Sequence, residues 1–180
     1  LEDEKGELAG GWVSSTLHSL AEGSEIEVSA PTGNFYLIDS KKRNVFISGG
    51  VGLTPMIAML NQLVTEDMPQ PVSFIHACRS SQVHAMKQHI HELKAKYPRL
   101  STFTAYEFPH QGDVLGEDYD VAGRLDLAAM DAALLPINAD YYLCGPMPFM
   151  AEQHKALVAR GIPAENIHSE AFGTGGVKLS

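Results

Sequence analysis

From residue 45 onward the chain alternates short apolar runs with longer stretches whose apolar positions recur every three or four residues. The first run, Val45-Phe46-Ile47, is followed by Met56, Ile57, Met59, Leu60, Leu63 and Val64, one apolar face of a helix. Further apolar segments at 72–77, 102–106, 140–144 and 167–172 predict strands. Helices are predicted over about 82–96, 125–134 and 148–160. The last of these carries Phe149, Met150, Leu157 and Val158 on one face and stops at Gly161. Strands alternating with helices predict an α/β fold, a five-stranded parallel sheet covered on both faces. Residues 107–123, rich in Gly, Asp and Pro, form a long connection of the kind that is usually functional or mobile.

Residues 1–40 have a different texture. A Gly pair opens a short helical pattern with Val13, Leu17 and Leu20 on one side. Ser24 to Ser29 alternates polar and apolar as a half-buried strand does, Pro31-Thr32-Gly33-Asn34 is turn chemistry, and Phe35 to Ile38 reads as a second strand. The polar run 39–44 marks a boundary, giving two domains, 1–40 and 41–180.

Between the first strand and its helix lies Gly49-Gly50-Val51-Gly52-Leu53-Thr54-Pro55. Glycines permit positive φ and close approach of another molecule to the backbone. The following helix would aim free N–H groups and its positive dipole end at whatever lies above, a site for a phosphate or pyrophosphate. Thr54 is the expected N-cap and Pro55 the expected first helical residue. Pro55 stands where the usual dinucleotide fingerprint has its third glycine, so the turn taken alone also suits a plain strand-to-helix connection. Ligands of parallel sheets bind beyond the carboxyl ends of the strands. Gly49 to Thr54, His76 to Arg79, Cys144 to Pro146 and Glu170 to Gly173 all fall on that edge, which favours a ligand site.

Charge and composition narrow the partners. The net charge is −9 and the densest basic cluster is Lys41-Lys42-Arg43, which argues against nucleic acid. No apolar run approaches the about 18 residues that span a membrane. The acidic first residues have no signal-peptide core, and the initial Leu is compatible with a piece of a longer chain. Two distant cysteines, Cys78 and Cys144, argue against a disulfide framework or zinc site and for a reducing cytoplasm. His84, His89 and His91 do not share a helix face, so no metal site is expected; His18, His76 and His168 are isolated, hydrogen-bonded or surface residues.

Gly-Val-Gly-Leu-Thr-Pro at 50–55, Tyr-Leu-Cys-Gly-Pro at 142–146 and Glu-Ala-Phe-Gly at 170–173, in this order, resemble the ferredoxin-reductase-like flavoprotein family. Gly11 to His18 resembles that family's FAD-pyrophosphate segment. Phe74-Ile75-His76-Ala77 with Val83-His84-Ala85 narrows the resemblance to the reductase portion of flavohemoglobins, the nitric oxide dioxygenases.

The resemblance implies a doubly wound NAD(P)-binding domain at 41–180, preceded at 1–40 by the C-terminal fragment of an antiparallel FAD-binding β-barrel. It implies that Gly50, Val51, Gly52, Leu53, Thr54 and Pro55 hold the nucleotide pyrophosphate, and that Gly11, Val13 and Ser14 hold that of FAD. Cys144, Gly145 and Pro146 would lie beside the nicotinamide, with Glu170 near the flavin tuning its potential and proton exchange. Phe172 would lie against the isoalloxazine face, with Ala171, Gly173 and Thr174 completing that segment. The implied function is NAD(P)H-to-FAD hydride transfer feeding a heme in a globin domain absent from this chain. Electrons delivered there convert nitric oxide and oxygen to nitrate.

Several positions depart from the family. The upstream Arg-x-Tyr-Ser/Thr flavin motif is absent, so weak or no FAD retention by this chain alone is expected. Ala171 and Thr174 replace a Cys and a Pro common in flavohemoglobins. No acid follows the second strand of the nucleotide domain; Arg79 and Ser80 stand there, and an Arg can accept a 2′-phosphate, so NADPH stays open beside NADH, the choice on family grounds. Two other readings also stay open: the reductase component of an oxygenase chain, and a catalytically incomplete nucleotide-binding module.

Overall fold

The computed structural model describes residues 11–38 and 41–171. The chain divides into two compact units, Leu1–Gly33 and Asn34–Ser180. In the first, helix α1 (Trp12–Ser19) forms where the Gly pair and the Val13/Leu17 spacing predicted it, with Gly11 at its N-cap and none of its residues buried. The predicted strands Ser24 to Ser29 and Phe35 to Ile38 do not form: residues 11–38 hold no strand, so the expected barrel fragment has no ladder there. An alternating pattern supplies a strand's faces but not the neighbour that its N–H and C=O groups need, and among the described residues no strand pairs with these segments.

In the second unit, strands β1 (Arg43–Gly49), β2 (Val72–Cys78), β3 (Leu100–Tyr106), β4 (Val121–Ala122), β5 (Ala139–Gly145) and β6 (Ile167–Ala171) make one sheet in the order β4-β3-β2-β1-β5-β6, with every pairing parallel. The described residues thus give six strands where five were expected. The extra one, β4, has only two residues and lies inside what read as loop; it is too short for any alternation to register.

β1 is central and buried on both faces, which is why its sequence is a continuous apolar run. Phe46, Phe74 and Tyr142 face one layer, packed by helix α2 (Leu53–Thr65) and helix α3 (Lys87–Lys96) through Met56, Leu60, Leu63, Ile90 and Leu93. Phe35, Leu37 and Ile38 also pack on this layer, and the Ile38 N–H donates to the Tyr142 hydroxyl at 3.0 Å. Val45, Ile47, Ile75, Tyr141 and Leu143 face the other layer, under helix α4 (Met147–Ala159) with Met150 and Leu157.

Two predicted helices are trimmed, and a third starts earlier than expected, each for local reasons. Residues 125–134 make only a 3-10 turn, Leu127–Ala129, because Asp126 and Asp131 accept the N–H groups of Ala128 (2.9 Å) and Ala133 (2.8 Å) with their side chains. Such bonds offer the backbone an alternative to a helix. α3 starts at Lys87 instead of near Gln82, because Met86 adopts a left-handed conformation (φ 56°) that a continuous helix excludes. α2 starts at Leu53 with Gly52 as N-cap. Thr54 is therefore not the cap; its hydroxyl donates back to the Val51 carbonyl at 3.2 Å. Pro55 is the third helical residue, where its missing N–H is still among the four that a helix start leaves unpaired.

The 107–123 connection is braced by three aspartates. Asp113 accepts from the N–H of His110 (2.7 Å) and Ser81 (3.3 Å), Asp118 accepts from Val114 N–H (2.7 Å) and pairs with Lys87, and Asp120 accepts from Thr104 N–H (2.7 Å).

Leu60 is fully buried between α2 and the sheet. Leu60→Ala is expected to lower the unfolding free energy by about 2–5 kcal/mol, read from chemical denaturation, by transfer loss plus the residual cavity.

Candidate nucleotide-binding site

The strand order reverses between β1 and β5, the point at which a crevice opens at the carboxyl edge of such sheets. There β1 runs into a 3-10 turn, Gly50–Gly52, that continues directly into α2. Gly50 has φ of 51° and open space where a Cβ would point, so glycine suits the backbone and leaves the surface above it clear. Gly52 is glycine for the opposite reason: a Cβ there would lie 2.1 Å from the Cys144 carbonyl oxygen at the end of β5. The turn is thereby seated against β5, and the N–H of Leu53, the first residue of α2, donates back to the Gly50 and Val51 carbonyls.

A cleft of about 690 Å³ lies over this edge, within the usual range for small-molecule sites. Its walls come from the turn (Gly50, Val51, Thr54), the ends of β2 and β3 (Cys78, Arg79, Glu107), and the start of α4 (Pro146, Phe149, Glu152). Phe149 fills the space beside Gly49, where a Cβ would come within 2.9 Å of the ring.

Of the sequence-predicted residues, Gly50, Val51, Leu53, Thr54 and Pro146 line the cleft. Gly52 is buried beneath it. Cys144 and Gly145 end β5, and Glu170 and Ala171 lie across from them on β6 in the register Cys144↔Glu170, Gly145↔Ala171. Pro55 belongs to α2 and does not line the cleft. Gly11, Val13 and Ser14 belong to the first unit, at the start of α1. Phe172, Gly173 and Thr174 lie outside the described residues. Sequence reasoning missed Glu107, Arg124, Phe149 and Glu152. Glu107 was recoverable from the rule that strand ends line the site. Arg124 follows the two-residue strand that gave no signal, and Phe149 read as an ordinary apolar helix position.

Arg79, Glu107, Arg124 and Glu152 bring charge to the cleft, while the thiols and imidazoles beside it are uncharged. The Cys144 thiol is fully buried and is pushed up to about 11, first by burial and then by the charge of Glu170. Cys78 is likewise raised to about 11, chiefly by burial. Neither is a thiolate near neutral pH. Behind the turn, the His76 ring bonds Ser48 Oγ through Nδ1 (2.8 Å) and stacks on His84 at 4.8 Å, whose Nδ1 meets the Tyr106 hydroxyl at 2.8 Å. Burial, and then the neighbouring His84, lower His76 to about 3. Burial, then Lys87 and His91, lower His84 to about 4. Among the described residues no group of His, Cys, Asp and Glu is arranged to hold a metal. No described helix is long and apolar enough to cross a membrane.

A parallel doubly wound sheet with a glycine turn at its switch point defines a nucleotide-binding module. The family model for the oxidoreductase NAD-binding domain matches residues 46–155, and the chain belongs to that family. It is 49% identical over 170 residues to a flavohemoprotein of Bordetella pertussis, covering 93% of this chain and 42% of that protein. It is 44% identical over 165 residues to a flavohemoprotein of Rhizobium meliloti, covering 91% and 41%. The FAD/NAD-binding domain of nitric oxide dioxygenase from Vibrio cholerae superposes with a TM-score of 0.75 at 32% identity, covering 96% of this chain and 69% of that one. The chain thus spans less than half the length of these flavohemoproteins and is similar to their reductase portion, as the sequence motifs implied.

Two outcomes follow. Gly52→Ala forces the turn away from β5 and is expected to cost about 3 kcal/mol or more in unfolding free energy, because backbone and not a flexible side chain must yield. His76 and His84 are neutral in the fold and have depressed pKa values, so the unfolded chain binds protons first as pH falls. Their stabilising contribution is complete above pH about 6.5 and is lost downward, toward about 4 for His84 and about 3 for His76. The melting temperature should therefore decline steadily from pH 6.5 to 4. His76→Asn should melt lower at pH 7.5 but with a shallower decline.

Proposed function

We propose that this chain is the NAD(P)H-to-FAD hydride-transfer module of a flavohemoglobin-type nitric oxide dioxygenase. The observation that carries the reading is the Gly52–Cys144 contact, in a chain 49% identical to a flavohemoprotein. It makes the anion-binding turn and the end of β5 one continuous wall. Residues 41–180 are the nucleotide domain and residues 1–40 the closing part of the flavin barrel, whose strands require partners that residues 11–38 do not supply.

The residues fit a dinucleotide. Bound there, the nicotinamide supplies a hydride and the flavin accepts it. The amides at Gly50 to Gly52 would hold the pyrophosphate with the help of the helix dipole, with Val51, Leu53 and Thr54 bounding the turn and Pro55 stiffening the helix start. Pro146, which lines the cleft directly after the buried Cys144 and Gly145, supplies an apolar wall for a planar ring from which water is excluded. The raised thiol of Cys144 suits that role better than nucleophilic chemistry. Glu170, exposed at the end of β6, and Ala171 beside it would face the flavin. At the start of α1 the free amides around Gly11, Val13 and Ser14 suit the FAD pyrophosphate. In the parent protein, electrons pass on to heme in a globin domain, in the cytoplasm.

Calorimetric titration of NADH into the chain should show saturable one-site binding. Gly50→Val, which places a branched side chain over the turn at positive φ, should weaken it about tenfold or more. Failure of NADH to bind at millimolar concentration, or indifference to Gly50→Val, contradicts the assignment.

A further inference from the structure

One wall of the cleft is held by a single side chain. Val83, Ala85 and Met86 line the cleft, while His84, between them, lines a separate polar pocket of about 120 Å³. The backbone bonds of this segment are local. Val83 N–H donates to the Ser80 carbonyl at 3.2 Å, His84 N–H to that of Ser81 at 3.2 Å, and Ala85 N–H to that of Val83 at 3.0 Å. Among the described residues, the only hydrogen bond that ties 82–85 to another element joins His84 Nδ1 and the Tyr106 hydroxyl, at 2.8 Å. The segment ends at Met86, whose φ of 56° is costly for a bulky residue and persists only where the surroundings hold it.

Tyr106 is a firm anchor. It is fully buried at the end of β3, its ring stacks on Tyr119 at 5.2 Å, and its carbonyl accepts from Gly123 N–H at 2.8 Å. The His84 ring lies edge-on to the Tyr106 ring at 5.7 Å and against His76 at 4.8 Å. His84 Nε2 is buried without a hydrogen-bond partner, so Tyr106 alone holds the ring by a polar atom. Ala105 and Glu107, on either side of Tyr106, line the cleft themselves, so the anchor and the wall it holds belong to one site.

This clasp is sensitive to charge. From β2 the imidazole faces His76 and from β3 Tyr106. It shares its pocket with Lys87, His91 and Lys94 of α3 and with Glu117, Asp118, Tyr119 and Asp120 of the 107–123 connection. Lys87 pairs with Asp118, and Lys94 donates to Thr102 Oγ1 at 2.9 Å. Burial, then Lys87 and His91, lower the clasped ring to about 4 from the 6.5 of a solvated histidine. A proton therefore binds the released ring more tightly than the clasped one, so the clasp is complete above about pH 6.5 and weakens below it.

We propose that His84 is a positioning residue for dinucleotide binding: through Tyr106 it holds residues 82–86 as a wall of the cleft, and the cleft binds best while that imidazole is neutral. The proposal rests on the nucleotide site proposed above and gives His84 no contact with the ligand.

The test is calorimetric titration of NADH into the full chain between pH 7.5 and 5.5, a range in which its pyrophosphate keeps its charge. At pH 7.5, Tyr106→Phe and His84→Ala should each weaken binding about tenfold, and the double variant should bind no more weakly than His84→Ala, because the two side chains act through each other. His84→Gln, whose amide can still bond the Tyr106 hydroxyl but does not titrate, should recover most of the affinity. The wild-type affinity should fall as pH drops from 6.5 to 5.5, and that of His84→Gln should not. Circular dichroism checks folding; if His84→Ala does not fold, Tyr106→Phe and the two pH profiles still decide. An affinity unmoved by Tyr106→Phe, or a wild-type pH profile that His84→Gln reproduces, overturns this inference and leaves the nucleotide site intact. Failure of the wild-type chain to bind NADH contradicts the nucleotide site and this inference with it.

Discussion

Gly52 lies so close to the Cys144 carbonyl that no side chain fits between them, and the rest of the site follows from that contact. It seats the β1–α2 turn on the end of β5, across the one place where strand order reverses. The amides of the turn then face a common cleft with the ends of β2 and β3 and the start of α4. Phe149 completes the arrangement by occupying the space that Gly49 leaves beside the turn. A parallel sheet buried on both faces supplies the rigidity. Val45, Phe46 and Ile47 are fully buried, so β1 cannot shift its register without exposing one layer or the other.

The chemistry of the edge is passive by construction. Its two thiols are neutral and its buried histidines are uncharged, held by Ser48, by Tyr106 and by each other. Such a surface offers no strong nucleophile and no proton donor poised near neutral pH. It offers flat, dry packing for a ring and amides for a pyrophosphate, which suits a protein whose reactivity comes from its cofactors. The His76–His84 contact makes acid unfavourable to this fold, since protonating His76 means charging a buried group beside another imidazole.

Much of this was legible in the sequence because the strong signals are local. The apolar run of β1, the glycine turn and the period of α2 identify the strand–turn–helix unit and its ligand edge without reference to anything distant, whereas the reversal of strand order there depends on the pairing of β5. What escaped notice depends on partners far along the chain. The Asp126 and Asp131 side chains cap their own backbone and stop a helix that the apolar spacing predicted. Met86 turns left-handed where a continuous helix was expected. The alternation of Ser24 to Ser29 is genuine, yet a strand is a relationship between two segments, and no neighbour is present among residues 11–38. In the site itself, Phe149 was hidden by chemistry it shares with any core aromatic. Arg124 was hidden by a strand too short to show a period.

The central claim is that a dinucleotide lies across the carboxyl edge at the β1/β5 switch point. Amide-resolved NMR during titration with NADH tests it most directly. The account predicts that the amides of Gly50 to Leu53 and Gly145 shift and saturate together, while those at the opposite strand ends, such as Val72 and Ala139, stay in place. Saturable shifts centred on the opposite edge, or none at the Gly50–Leu53 turn, would contradict it.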